Sequence, residues 1–223
     1  MNVARKNDKN PLTKERKMQH TNVERQPPLY IFDLDGTLAL IDHRRHLVEP
    51  PIIECPYCNG TGTFSKIGRE TADGELRAWN GDCRHCVGKG RWKDRTFKPD
   101  WNAFFEACVD DMPNAGVIGM FLQLYSMGNQ ILIWSGRDSK VRAQTLNWLV
   151  VFLGIPRKQI DDMLTMRPEG DFTPDEQLKR KWLNLMSKPT RKRLAGVFDD
   201  RDKVVAMWRA EGVTCFQVAP GNF

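Results

Sequence analysis

The motif CxxCxGxG occurs twice, as Cys55-Pro-Tyr-Cys58-Asn-Gly60-Thr-Gly62 and as Cys83-Arg-His-Cys86-Val-Gly88-Lys-Gly90, and it restricts the fold more than any other feature. Two CxxC pairs bring four thiolates together at the spacing of a closed, structural zinc site, with glycines where the backbone wraps the metal. Residues 51–92, which follow Pro50-Pro51, carry no sustained apolar period. They read as a small module inserted into an otherwise regular chain. Disulfides are the competing reading, but a chain of 223 residues buries enough core without them. Nothing in the sequence directs it to an oxidising compartment either. Cys108 and Cys215 lie in apolar patterns and are expected in the core.

On both sides of the module, strand and helix patterns alternate. Leu29-Tyr-Ile-Phe-Asp-Leu is a short buried strand closed by Asp35-Gly36. Helices are expected at 101–109, 115–127, 140–153, 175–186 and 203–210, and strands at 130–134, 163–166, 194–198 and 213–218. This order predicts an α/β fold with a doubly wound, mostly parallel sheet. At 40% hydrophobic and 28% charged residues the composition is that of a globular protein. No stretch approaches the roughly 20 apolar residues of a membrane span. Residues 1–26 are polar with no apolar leader region, so a cytoplasmic location is expected, that of the host if the chain is phage-encoded.

The chemistry-bearing residues fall at strand ends, where open parallel sheets bind ligands. Asp33 and Asp35 end the first strand on one face, and Ser135-Gly136-Arg137 follow Ile131-Leu-Ile-Trp. Asp199 and Asp200 close Val197-Phe198, and Lys179 sits early in the preceding helix. Carboxylates converging in one crevice need a cation, and an all-oxygen set suits magnesium. A carboxylate aimed at substrate is a nucleophile, and one beside it is a general acid and base. A lysine, a hydroxyl and backbone N–H groups would clamp a phosphoryl group. These are the parts of phosphomonoester hydrolysis.

Asp33-Leu-Asp35-Gly36-Thr37, Ser135-Gly136-Arg137, Lys179 and Asp199-Asp200 resemble the four motifs of the haloacid-dehalogenase (HAD) phosphatases. The resemblance implies a HAD-type Rossmann-like core with Asp33 as nucleophile and Asp35 as general acid/base. Magnesium would be held by Asp33, the main chain of Asp35 and a fourth-motif aspartate, Asp200 being favoured over Asp199. The run from Phe198 to Phe223 is similar to the phosphatase domain of the bacteriophage polynucleotide kinase/3′-phosphatases, and Arg44 and Arg137 match arginines required there. With Ser135, Gly136 and Lys179 they are the expected substrate-binding residues. No GxxxxGK[ST] loop occurs in these residues, so no 5′-phosphorylation is expected of them.

The cysteine module resembles the zinc-binding region of DnaJ-type chaperones, and it stands where HAD phosphatases carry cap elements. The expected organisation is a basic tail (1–28), a phosphatase domain (29–50 and 93–223) and a zinc-binding cap (51–92). Residues 1–27 hold seven basic residues against three acidic ones, most of the net charge of +6, and either favour a polyanion or form a solvated leader. Tyr57, Phe64, Trp79, Arg84, Lys89, Arg91, Trp92 and Lys93 either contact a strand or belong to a module that only staples a loop. The leading expectation is a phosphatase that removes a 3′-phosphate from nucleic-acid ends. A mononucleotide phosphatase and a zinc-dependent nucleic-acid-binding protein on an inactive scaffold are the alternatives.

Overall fold

The computed structural model describes residues 26–70 and 76–221, with only the backbone of 65–70 and 76–79. Nearly all of the basic tail and the Trp79 side chain lie outside the described residues. The chain begins with β1 (Leu29–Phe32), β2 (Ala39–Leu40) and the single turn α1 (Asp42–Arg45). The cysteine-bearing segment adds β3 (Ile52–Glu54), β4 (Thr63–Glu70), β5 (Leu76–Asp82) and β6 (Arg91–Lys93). Next come α2 (Trp101–Glu106), β7 (Met112–Pro113), α3 (Ala115–Ser126), β8 (Gln130–Asp138) and α4 (Arg142–Leu153). The remainder is α5 (Arg157–Met163), β9 (Leu164–Arg167), α6 (Asp175–Leu185), α7 (Lys188–Lys192), β10 (Leu194–Asp199), α8 (Asp202–Ala210) and β11 (Cys215–Gln217).

The central sheet has the order β11-β10-β1-β8-β9, and every pair in it is parallel. From β1 the chain builds outward to β8 and β9, then crosses back to add β10 and β11 on the other side. The strand order therefore reverses beside β1, the place where such sheets leave a crevice beyond their carboxyl ends. This is the doubly wound α/β architecture that the strand–helix alternation predicts. Strand pleating sends successive side chains to opposite faces. Phe32, Ile131, Ile133 and Phe198 pack with Phe121, Trp148 and Leu149 on one face. Ile31, Trp134 and Val197 pack with Leu183, Val204, Val205 and Trp208 on the other. Cys108 and Cys215 are buried in these two cores.

Four elements in the core depart from the sequence pattern. The strand β8 runs to Asp138 rather than stopping at Trp134, so Ser135-Gly136-Arg137 lie within it, and its register with β9 shifts between Ser135 and Asp138. The helices α5 and α7 were not expected. Each is short, with one buried residue (Ile160) in the first and none in the second, so neither carries an apolar period. The helix expected over 101–109 ends at Glu106 and tightens into a 3₁₀ turn over Ala107–Asp110.

The cysteine segment forms no part of the central sheet. The strands β3 and β6 pair antiparallel, as do β4 and β5. No helix among the described residues is long and apolar enough to cross a membrane.

The Phe32 ring stacks on Phe198 at 4.3 Å between centroids and meets Phe121 at 5.0 Å, which ties β1 to β10 and α3. Phe32→Ala is expected to cost about 3–5 kcal/mol, measured as a lowered urea midpoint. A loss below about 1 kcal/mol would show that this stack does not anchor the sheet.

Candidate active site

Asp33 leaves the end of β1 with its backbone N–H still donating to Phe198 O (2.9 Å), and Asp35 follows two residues later. Both line one pocket of ≈ 360 Å³ at the carboxyl end of the sheet. Between them and Thr37 the chain turns sharply at Gly36, whose φ is 84°. A Cβ there would overlap the Asp200 carboxylate, so only glycine lets the two loops meet. Asp200, from the end of β10, lines the same pocket and accepts a hydrogen bond from Thr37 Oγ1 (3.2 Å).

Behind this floor Lys179, projecting from α6, is fully buried. Its Nζ donates to Asp33 Oδ1 (2.5 Å) and Asp199 Oδ2 (2.9 Å), and lies 3.5 Å from Asp175 Oδ2. Asp199 does not line the pocket. It is anchored by Lys179, by the Trp208 indole N–H (3.3 Å) and by the Arg201 backbone N–H (3.2 Å). Burial raises the Asp33 carboxyl well above its ordinary range, against the pull of Lys179, with Asp199 and Asp200 adding to the rise. Burial and the Asp199 charge likewise bring Asp200 up to about 6.

One oxygen from each of Asp33, Asp199 and Asp200 lies within 4.8 Å of the others. Three carboxylates against one lysine leave excess negative charge, and the donors are all hard oxygens. This set fits a magnesium ion, which takes one or two carboxylates plus water and substrate oxygens. The pocket side of the set is Asp33 and Asp200.

Arg44 and Arg137 are placed differently from the sequence expectation. Both are fully buried, and neither lines the pocket. They stand behind Asp35, bound to it and to Asp111. Arg44 donates through Nη2 to Asp35 Oδ1 (2.7 Å), and through Nε and Nη2 to the two Asp111 oxygens (2.7 and 2.8 Å). Arg137 donates through Nε and Nη2 to Asp35 Oδ1 (2.8 and 2.6 Å), and also to Asp111 Oδ2. Burial alone would raise the Asp35 carboxyl, but the Arg137 and Arg44 guanidiniums overcome it and hold it at about 2. These arginines thus fix the orientation and charge of Asp35 while leaving the pocket to others. Ser135 is also buried and off the pocket, its Oγ accepting the Arg137 backbone N–H (3.2 Å); Gly136 does line it.

Two acidic residues of this network are absent from the sequence expectation. Asp111 belongs to no motif, and only its burial between two arginines marks it. Asp175 lies four residues before Lys179 on α6, a helical neighbour spacing that was available as a signal. It also accepts a hydrogen bond from Arg167 (3.2 Å). Arg167 lines the pocket but spends its other donors on the carbonyls of Gly136, Asp171 and Thr173. The pocket wall is also new: Ile41, Trp101, Phe104 and Phe105 on one side and Phe172 on another. Trp101 is 46% exposed and Phe172 88%.

The second cluster is the cysteine tetrad. Cys55, Cys58, Cys83 and Cys86 are all buried, and one sulfur from each lies within 4.8 Å of the others. The Cys55–Cys83 and Cys58–Cys86 sulfurs are 3.8 and 3.7 Å apart. A tetrahedron of Zn–S bonds of about 2.3 Å has edges of about 3.8 Å, whereas a disulfide brings sulfurs to about 2.05 Å. The geometry fits zinc. The two motifs meet through glycines: Cys55 N donates to Gly90 O (2.8 Å) and Cys83 N to Gly62 O (2.7 Å). A Cβ on Gly62 would strike Gly88 O, and one on Gly90 would strike Gly60 O.

A parallel α/β sheet with a DxD floor, a buried lysine and a paired aspartate at its carboxyl end defines the HAD class of phosphatase domains. Residues 100–223 match the phosphatase domain of polynucleotide kinase PNKP, more than half of the chain. The chain belongs to this family of PNKP phosphatase domains. Two solved chains share the fold, both from structures of the Pnkp1/Rnl/Hen1 RNA repair complex. One is 24% identical with a TM-score of 0.52, over 88% of this chain and 44% of that one. The other is also 24% identical with a TM-score of 0.52, over 89% and 47%. The chain therefore spans less than half the length of each.

The Asp35 value of about 2 lies below the ordinary carboxylate value of about 3.9. Its pairing with the arginines therefore stabilises the fold above pH about 4 and is lost as pH falls through about 2. In Arg137→Met the Asp35 titration is expected to move up toward its ordinary value, followed by carboxyl NMR, and the acid-sensitive part of stability should shrink. An unmoved titration would contradict the pairing. For the tetrad, Cys83→Ser is expected to abolish stoichiometric zinc in elemental analysis, and retention of one zinc per chain would count against the site.

Proposed function

We propose that the chain is a magnesium-dependent phosphomonoesterase that removes a terminal phosphate, a 3′-phosphate above others, from a polynucleotide. The observation that carries this reading is the composition of a single pocket. Its floor is the carboxylate set Asp33, Asp35 and Asp200, and its walls are aromatic: Trp101, Phe104, Phe105 and Phe172. A charged floor suits a phosphoryl group, and aromatic walls suit the flat base of the nucleoside that leaves. Membership of the PNKP phosphatase family and likeness to chains of an RNA repair complex support nucleic-acid ends as substrate. The chain then has an N-terminal segment over 1–28, a phosphatase core over 29–50 and 93–223, and a zinc-binding cap over 51–92.

Magnesium would be held by Asp33, Asp200 and the main chain of Asp35, with Asp199 fixed just behind, and would withdraw charge from the phosphoryl oxygens. Asp33 attacks phosphorus, the bond to the ribose oxygen breaks, and an aspartyl-phosphate forms. Asp35 is ionised in the free site, and the negative charge of the arriving substrate raises its proton affinity. It takes up a proton with the substrate and passes it to the departing oxygen. It then removes a proton from the water that attacks phosphorus and frees Asp33. Lys179, behind the floor, neutralises Asp33 before attack and would turn to a phosphoryl oxygen once Asp33 is esterified, with the Gly136 backbone as a further donor. Arg44 and Arg137 act through Asp35, by keeping its Oδ1 bound.

The test is phosphate release with magnesium from a 3′-phosphorylated oligonucleotide, its 5′-phosphorylated counterpart and free 3′- and 5′-mononucleotides. Release from the 3′-phosphorylated strand, lost in Asp33→Asn, is the expected result. Release from mononucleotides alone would keep the chemistry and overturn the polynucleotide assignment. Release from none of them would return the chain to a binding role.

A further inference from the structure

We propose that the cysteine module carries a docking surface for a single nucleic-acid strand, made by Lys89, Arg91 and Lys93 around Trp92. This rests on the polynucleotide reading above and adds where the strand runs outside the pocket. The four residues and Ile52 line one concavity of ≈ 500 Å³, which shares no residue with the catalytic pocket. Lys89, Arg91 and Lys93 are exposed and make no ion pair among the described residues. They fall at alternate positions along the segment that leaves the second zinc motif. Arg91 and Lys93, two apart in β6, stand about 6.6 Å apart on one side of an extended strand, a step comparable to that between successive phosphates, and Lys89 precedes the turn at Gly90, whose φ is 69°. Three clustered positive charges without an ion pair among the described residues favour a polyanion.

A second observation concerns Trp92. Its indole N–H is buried without an acceptor among the described residues, at the edge of the same concavity. A buried donor left unpaired costs about 1–3 kcal/mol, and the ring carrying it forms part of the lining of the concavity. Its ring is already held from other sides, by the edge of Tyr57 (centroids 5.7 Å apart) and by the Arg95 guanidinium 5.2 Å from its centroid. Tyr57 in turn stacks on His85 at 3.7 Å and remains half exposed. Basic side chains interleaved with aromatic rings are the composition of single-strand platforms.

The surface also lies within reach of the reaction. Its strand β6 continues into α2, whose first residue, Trp101, forms the pocket wall. Eight residues from Lys93 to Trp101 span at most about 28 Å, and the stem is drawn in by bonds from Asp94 N to Pro51 O (2.9 Å) and Asp100 N to Leu47 O (2.8 Å). A strand with its terminal phosphate on Asp33 would meet the basic row within a few nucleotides.

The experiment compares the full chain with Lys89→Gln/Arg91→Gln/Lys93→Gln, after zinc content has shown the module intact. The substrates are a 3′-phosphorylated single strand of about twelve nucleotides and a 3′-mononucleotide, each at several salt concentrations. Expected is a roughly tenfold fall in kcat/KM on the strand, through KM, with the log–log salt slope reduced by about 2 for three lost phosphate contacts. Turnover of the mononucleotide should stay within twofold. Equal losses on both substrates, or none on the strand, would overturn the proposal. Should the parent chain hydrolyse neither, the phosphatase reading fails. Fluorescence anisotropy with an unphosphorylated strand then judges the surface alone, and unweakened binding by the triple variant sinks it. Binding of an unfolded polypeptide in place of the strand would overturn it too.

Discussion

Lys179 makes the active end of this fold possible. Four aspartates, from the end of β1, the end of β10 and the start of α6, converge at the buried carboxyl end of the sheet, and a buried carboxylate without a partner is among the costliest groups a protein can hold. The single ammonium from α6 donates to Asp33 and Asp199 and stands near Asp175, so one side chain ties α6 to two strands of the sheet. Even so the aspartates outnumber the ammonium, and burial, with the neighbouring carboxylates adding to it, raises the Asp33 and Asp200 carboxyls. Such an excess of hard-oxygen charge fits a divalent cation.

A second electrostatic unit sits alongside and is complete in itself. Arg44 and Arg137 meet Asp35 and Asp111 with no solvent between them, and Arg44 also lies 4.2 Å from the centroid of the Phe104 ring. Removing either guanidinium would strand a buried carboxylate. The unit separates two tasks that lie only two residues apart in sequence. Asp33 is held by an amine in a cation-seeking cluster, whereas Asp35 is held by arginines in a neutralised one. Neighbouring carboxyls are thereby driven to opposite ends of the acidity range, which is how an enzyme assigns different roles to like groups.

The cysteine module solves a different problem. Among its described residues most are exposed, and the buried apolar cluster is the four cysteines with Phe64 packed against them. A segment so poor in core needs a staple, and four thiols at the spacing of a zinc site would supply one without apolar bulk. Its outer surface is thereby left to charged and aromatic residues.

Much of this was legible in the sequence, because the signals are local. Alternating apolar runs specify a parallel α/β sheet, CxxC pairs specify a four-sulfur site, and aspartates at strand ends are delivered to the crevice by strand geometry alone. The residues that escaped have roles defined by distant partners. Asp111 has no motif because its meaning comes from two arginines 67 and 26 residues away. The aromatic wall joins α2 to the loop before α6, which no periodicity links. Arg44 and Arg137 were legible as functional residues but not in their direction. Guanidinium suits phosphate and carboxylate equally, and which of the two it faces is decided only when the chain has folded around it.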